Sequence, residues 1–186
     1  MVGKVGRLFH LKGHEDLIAA AAEVIRQQPA VRFLLVGDGA LRQPLTRRIA
    51  RAGLTDRFQF TGLVSGRRVT ELLGAMDIVV HASLREGLAR VLPQALIAGL
   101  PVVSYDIDGA REVVLAGTTG YLATPRDVDG LAQAIAKLAG DKSLRDRLGQ
   151  EGRRRWATRF QHQAMTRQIR NLYQELLRRG QTTRPA

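Results

Sequence analysis

The sequence predicts an α/β fold, with a single Rossmann-like, doubly wound parallel sheet of about six strands, helices on both faces and additional C-terminal helices. Three observations predict it. Short apolar runs of four to seven residues alternate with segments of helical periodicity. Glycine or proline closes several of these segments, as at Pro29, Gly53 and Gly99. The length of 186 residues suits one domain with a substantial core.

Six apolar runs are the strand candidates. Helical segments separate them, and strands separated by helices form βαβ units, in which the strands run parallel. In chain order the candidates are Val2–Leu8, Val31–Val36, Phe58–Thr61, Ile78–His81, Pro101–Tyr105 and Gly120–Ala123.

Helices are predicted between the strands. Glu15–Gln28 carries apolar residues at helical spacing and is stopped by Pro29, and Asp127 is a candidate N-cap for the helix that follows the last strand. The predicted helices are Glu15–Gln28, Leu41–Ala52, Arg67–Met76, Leu92–Ala98, a short one near Ala110–Leu115, and Val128–Ala139.

The chain divides into three parts. Residues 1–140 form the sheet domain. Residues 141–179 form C-terminal helices that pack on it, in two pieces hinged near Arg159–His162. Residues 180–186 are expected to be a frayed tail.

Composition excludes several classes of site. The chain has no cysteine, which excludes disulfides and thiolate metal sites. Its 4 histidines show no ligand pairing, so no metal site is expected and only His10 is a candidate rim residue. No window is long and apolar enough to span a membrane, and no signal-peptide pattern opens the sequence. We therefore expect a cytoplasmic chain.

The net charge of +12 is unevenly distributed. Residues 141–186 hold twelve basic and four acidic side chains. This asymmetry suggests an anionic partner, which could be a nucleic acid, a lipid surface or a phosphorylated ligand. The basic tail lacks interleaved exposed aromatic residues, so specific nucleic-acid binding is not expected.

Ligands of such sheets bind beyond the carboxyl ends of the strands. Four loops are predicted at this rim: Arg7–Gly13, Gly37–Ala40, Ser83–Arg90 and Asp106–Arg111. In the first loop, Arg7 and Lys12 are the cation pair that a diphosphate needs next to a helix N-terminus. A solvated basic loop is the alternative.

The third loop is the most informative. Glu86 can accept hydrogen bonds from sugar hydroxyls, and backbone N–H groups of 87–91 are available where the next helix begins. Gln94 lies eight positions after Glu86, on that helix. The alternative is an ordinary loop acid followed by a partly buried glutamine.

The other two rim loops favour simple turns. Gly37-Asp38-Gly39 lacks the third glycine of a dinucleotide fingerprint, since Arg42 occupies that position. Asp106-Ile107-Asp108 matches the D-x-D motif of manganese-dependent transferases, but aspartate is a favoured turn residue at a strand end. We interpret both segments as turns, without a metal.

Together these segments resemble the C-terminal, nucleotide-sugar-binding half of GT-B glycosyltransferases, specifically glycosyltransferase family 4. The resemblance lies in their order and spacing and covers nearly the whole chain. The segments are Val5–Leu8 with Lys12-Gly13, Val36–Gly39, Phe60–Gly62, Glu86–Leu88, Ala98–Val103, Gly109–Glu112 and Gly117–Leu122.

The resemblance implies a retaining hexosyltransferase that uses a nucleotide diphosphate sugar of UDP or GDP type and needs no cofactor or metal. Arg7 and Lys12 would neutralise the donor diphosphate, and Glu86 would hold the donor-sugar hydroxyls. The implied donor-binding residues are Gly87, Leu88, Ala89, Arg90 and Val91 through their backbone, Val64 beside the nucleobase, and Gln94 at the ribose.

Three departures from the family pattern modify this expectation. Gln94 replaces a glutamate, and Ala89 stands where glycine is usual. The N-terminal, acceptor-binding domain is missing, so we expect the isolated chain to be inactive and to need that domain as a partner. Without it, the tail would expose Leu172, Leu176 and Leu177.

Two alternatives remain open. The chain could be a non-catalytic basic module that binds nucleotides or docks on the anionic inner face of the membrane through its tail. It could also come from a GT-B nucleotide-sugar epimerase, although the spacing of Arg7, Lys12 and Glu86 favours a transferase.

Overall fold

The structure, a computed structural model, describes residues 1–182 and the side chains of residues 1–179. Its six strands are β1 Val2–Val5, β2 Phe33–Val36, β3 Phe58–Gly62, β4 Ile78–His81, β5 Val102–Tyr105 and β6 Gly120–Ala123. Its α-helices are α1 His14–Gln27, α2 Arg42–Arg51, α3 Gly66–Leu73, α4 Val91–Ala98, α5 Val128–Gly140, α6 Lys142–Trp156 and α7 His162–Thr182. The predicted α/β class is confirmed.

All six strands belong to one parallel sheet in the order β3-β2-β1-β4-β5-β6. One face packs against α1, α2 and α5 around a core that includes Leu17, Phe33 and Ile135. The other face packs against α3, α4 and α6 around Val79, Leu92 and Leu96. Chain direction across the sheet reverses between β1 and β4, which makes their carboxyl ends the topological switch point.

The first strand is shorter than predicted, and its end opens the site. Along its whole length, β1 pairs with β2, but it pairs with β4 only through Val2 and Gly3. Beyond Val5 the backbone stays with the β2 side, because Gly6 N–H donates to Val36 O and Leu8 N–H donates to Asp38 O. The chain therefore leaves β4 before residue 8, and a crevice opens between the two strands.

Two further predictions need correction. The helix predicted near Ala110–Leu115 is a 3₁₀ turn over Asp108–Glu112. Helix α7 continues to Thr182, so the tail expected to fray from residue 180 is helical at 180–182. Residues 183–186 of that predicted tail lie outside the described residues.

The two tail helices differ in packing. Helix α6 lies against α4, where Gly149 and Gly152 allow close approach and Trp156 donates from Nε1 to Val113 O at 3.1 Å. In α7 every described side chain except the half-buried Ala164 is exposed. The expected exposure of Leu172, Leu176 and Leu177 is confirmed. Of the two helices, only α6 covers the sheet domain.

None of the helices that the structure describes combines the length and the hydropathy that a membrane-spanning helix requires.

Candidate functional site

A cleft of about 480 Å³ lies at the switch point between β1 and β4. Its walls come from the ends of both strands, from the loops that follow them, and from α3 and α4. The residues that line it are Lys4, Val5, Gly6, Lys12, Gly66, Val69, His81, Ser83, Glu86, Leu88, Ala89, Arg90, Val91 and Gln94.

Lys12 and Glu86 meet in an ion pair at the mouth of this cleft, and both side chains are about three-quarters buried. The backbone brings them together. Leu84 N–H donates to Leu11 O at 2.8 Å, which joins the loop after β1 to the loop after β4. Gly13 allows this contact, because its φ is 62° and a Cβ there would lie 1.8 Å from Ala82 O. The sequence predicted both residues at the rim, but not their direct contact.

The Glu86 loop is held in place by the turn after β5. Glu86 N–H donates to Asp108 Oδ2 at 2.7 Å, and Gly109 N–H donates to Gly87 O at 3.1 Å. Asp106 pairs with Arg111 at 2.7 Å. The two aspartates of the D-x-D segment thus have structural partners, as expected for turn residues. Among residues 1–182, no group of three His, Cys, Asp or Glu side chains could hold a metal ion.

The backbone N–H groups of residues 87–91 point to an anion or polyol site. None of these five consecutive groups donates a hydrogen bond to another described residue. They precede or begin α4, where the first N–H groups of a helix have no intrahelical acceptor. Such groups, together with the helix dipole, favour an anionic ligand.

Most of the other predicted site residues line the cleft. Leu88, Ala89, Arg90 and Val91 lie along one wall, and Gln94 reaches the cleft from the first turn of α4 with an exposed side chain. The Gln94 side chain forms no hydrogen bond with another described residue, so its predicted role at a ribose stays a prediction.

Three predicted residues do not line the cleft. The exposed Arg7 places its guanidinium over the Phe9 ring, 5.5 Å from the centroid, so it would have to reorient to join Lys12. Val64 is half-buried against the core on the α3 and α4 face, two residues before the cleft residue Gly66. Gly87 contributes its carbonyl to the contact with the β5 turn.

Sequence reasoning missed the floor of the cleft. Lys4, His81 and Ser83 line it and are 2%, 4% and 1% exposed. Burial, reinforced by Lys12, lowers the pKa of Lys4 to about 7. The signal for Lys4 was present, since a lysine stands in the middle of the apolar run that forms β1.

His81 was interpreted as incidental, and the structure places it in the cleft. Burial lowers the pKa of His81 to about 3, so the ring is neutral. Its Nδ1 lies 3.2 Å from Ser104 Oγ, and Ser104 Oγ lies 2.8 Å from Tyr105 O. His81 Nε2 has no hydrogen-bond partner among the described residues and lies 3.8 Å from Glu86 Oε1.

A family model described as glycosyl transferases group 1 matches residues 1–155. The chain belongs to the group 1 glycosyl transferases. Alpha-D-kanosaminyltransferase of Streptomyces kanamyceticus is 31% identical over 172 residues, which are 92% of this chain and 45% of that enzyme.

Solved structures share the fold. HepE of Anabaena in complex with UDP gives a TM-score of 0.87 at 30% identity, covering 94% of this chain and 48% of HepE. The same protein with UDP-glucose gives 0.85. The C-terminal domain of LpcC from Francisella tularensis gives 0.80 and covers 87% of this chain and 86% of that domain, but at 24% identity it shows the fold alone.

This group 1 transferase chain spans less than half the length of the curated relatives that it matches, for example 36% of the 2-deoxystreptamine glucosyltransferase of Streptomyces kanamyceticus.

Proposed function

We propose that this chain is the donor-binding half of a retaining glycosyltransferase, which transfers a hexose from a UDP or GDP sugar to an acceptor bound by a second, N-terminal domain. The row of five unpaired N–H groups at residues 87–91 supports this proposal most directly. Four of these residues, 88–91, line a cleft that also contains two lysines, a carboxylate and a neutral histidine. HepE, with a similar fold, was solved with UDP and with UDP-glucose.

The proposed chemistry divides between charge and hydrogen bonding. Lys12 and the N–H groups of 87–91 would neutralise the diphosphate as the glycosidic bond breaks and negative charge develops on the leaving nucleotide. Glu86 would accept hydrogen bonds from the donor-sugar hydroxyls. Because Lys12 and Glu86 are paired with each other, donor binding would exchange this internal pair for contacts with the ligand.

Transfer also needs the acceptor held against the donor sugar, since much of the rate enhancement comes from orientation. We therefore expect this chain alone to bind donor weakly and to show negligible turnover. No step of the proposed reaction uses a metal ion.

Calorimetry with UDP, GDP and ADP tests the proposal. We expect at least one of them to bind, and we expect Lys12→Ala combined with Arg7→Ala to weaken binding at least about tenfold, because charge-assisted phosphate contacts are lost. The matched control is Lys142→Ala with Arg153→Ala, which removes the same charge from exposed positions. Equal affinity of the two double variants would refute the assignment.

A second candidate function is peripheral membrane contact through α7. This helix exposes Leu172, Leu176 and Leu177 beside basic residues, the pattern of helices that lie in a membrane interface. Co-sedimentation with anionic vesicles tests it. Substituting all three leucines with glutamine should abolish binding, and undiminished binding would exclude α7 as the contact.

A further inference from the structure

Lys4 is a buried lysine whose amine has no carboxylate partner. Its side chain is 2% exposed and lines the floor of the cleft. No carboxylate oxygen among the described side chains lies within 4 Å of its Nζ, and the cleft carboxylate Glu86 is paired with Lys12. Buried lysines are costly unless they are paired or lose their proton.

The charges around Lys4 come from every element packed against it. The 3₁₀ turn before α1 contributes Lys12, which disfavours a second positive charge. The first turn of α1 contributes the neutral His14 and the carboxylate of Asp16, and the positive end of its dipole lies there too. The end of β4 and the following loop contribute neutral His81 and Glu86.

These opposing contributions leave the charged and neutral forms of Lys4 close to equal in free energy near neutral pH. Desolvation and Lys12 outweigh Asp16 and Glu86, and the pKa of Lys4 falls to about 7. Any anion that enters the cleft raises the pKa of Lys4, because negative charge close to a buried amine favours its protonated form.

We propose that Lys4 is a further ligand-binding residue of this cleft, which takes up a proton from the solvent when the diphosphate of a nucleotide sugar binds. This proposal rests on the proposed function, since it uses the same cleft and the same ligand. In the free chain, Lys12 neutralises Glu86 and Lys4 is largely uncharged above neutral pH. In the occupied cleft, the diphosphate provides the counter-ion that Lys4 lacks.

The orphaned polar atoms on the floor agree with a ligand at this depth. His81 Nε2 and Ser83 Oγ are buried, line the cleft and have no partner among the described residues. Unpaired buried polar atoms are rare in folded proteins. A polar ligand reaching the floor would give partners to both atoms and place its charge next to Lys4.

Proton uptake can be measured by titrating UDP into the 186-residue chain at pH 8 in two buffers of different ionisation enthalpy. At one pH unit above its pKa only about a tenth of Lys4 is charged, so up to ~0.9 proton should enter per UDP bound. His14 and His81 cannot supply this signal at pH 8 unless their pKa values, now about 3, rise by about five units. Uridine, which lacks the phosphates, should bind without proton uptake.

Variants assign the proton to its site. Lys4→Met should reduce uptake to near zero, and the exposed control Lys142→Met should leave it unchanged. A second measurement needs no variant: the chain has only four lysines, so NMR of labelled lysine side chains can follow each ammonium. The Lys4 signal should titrate near pH 7 in the free chain and at least one unit higher with UDP.

The outcomes separate this inference from the proposed function. UDP binding with an enthalpy that is independent of buffer would overturn the inference and leave the proposed function standing. Uptake that persists in Lys4→Met, or a Lys4 signal that titrates near pH 10 in the free chain, would overturn it as well. Absence of nucleotide binding by the folded chain would overturn both.

Discussion

Replacing Lys4 with methionine should stabilise the protein at neutral pH and remove a pH dependence. Methionine keeps a linear side chain and deletes the buried amine. The pKa of Lys4 is 10.5 in the unfolded chain and about 7 in the folded one. At 1.36 kcal/mol per unit, this difference corresponds to roughly 5 kcal/mol of destabilisation when the group is charged in both states, as an upper bound.

The sign follows from proton counting. Between pH 7 and 10 the unfolded chain keeps the proton of Lys4 and the folded chain releases it, so the free energy of unfolding rises with pH by about 1.4 kcal/mol per unit. The destabilisation caused by burying Lys4 is complete below pH 7 and disappears toward pH 10. Burial raises the pKa of the Tyr105 phenol, so stability should fall again above pH 10.

Urea unfolding followed by fluorescence of the single, buried Trp156 can measure this at pH 7, 8 and 9. We expect Lys4→Met to be more stable than the wild type by a few kcal/mol at pH 7, and the gap to shrink by about 1.4 kcal/mol per pH unit. Lys142→Met, at an exposed site, should parallel the wild type. A gap between Lys4→Met and wild type that stays constant from pH 7 to 9 would refute the reasoning.

Three further predictions use the same chain. Burial lowers the pKa of His14 and His81 to about 3, so each should cost the folded state about 1.4 kcal/mol per pH unit as pH falls below 6.5; replacing either with asparagine should flatten the urea-unfolding profile between pH 6 and 4. Gly13→Ala should lower the free energy of unfolding in urea by about 3 kcal/mol or more and should weaken UDP binding, because the added Cβ clashes with backbone at a residue of left-handed φ. Gly53→Ala is the control: its φ of 68° is also left-handed, but the space around it is open, so it should cost only about 1 kcal/mol. Gln94→Glu should tighten UDP binding about fivefold in calorimetry through a charge-assisted bond to the ribose, and an equal gain for 2′,3′-dideoxyuridine diphosphate would contradict this role.

The fold was predictable because its pattern is local. Each strand is a short apolar run and each connection carries helical periodicity, so class and strand number follow from the sequence. Ile78–His81 and Gly120–Ala123 match the observed strands at both ends. The predicted end of β1 at Leu8 does not match the observed end at Val5. Where this strand ends depends on which neighbouring segment accepts hydrogen bonds from the backbone of residues 6–8. That is a tertiary choice, and no local pattern encodes it.

The candidate site was predictable at its rim and less so at its floor. Glu86 and Lys12 were placed by the rule that loops after parallel strands share one edge. Lys4 was missed because the apolar run around it predicts a strand and gives no functional role to the lysine within it. His81 was missed because no residue near it in the sequence indicates a partner. The side-chain direction of Arg7 likewise depends on packing against Phe9. Burial and orientation of single polar side chains are set by the assembled fold.

The most direct test of the donor-site assignment is a crystal structure of the chain with an intact UDP or GDP sugar. We predict the diphosphate at Lys12 and the N–H groups of residues 87–91, with the sugar hydroxyls on Glu86 and the Lys12–Glu86 pair opened. Density for the donor outside this cleft, or inside it with Lys12 still paired to Glu86 and no contact to residues 87–91, would contradict the assignment.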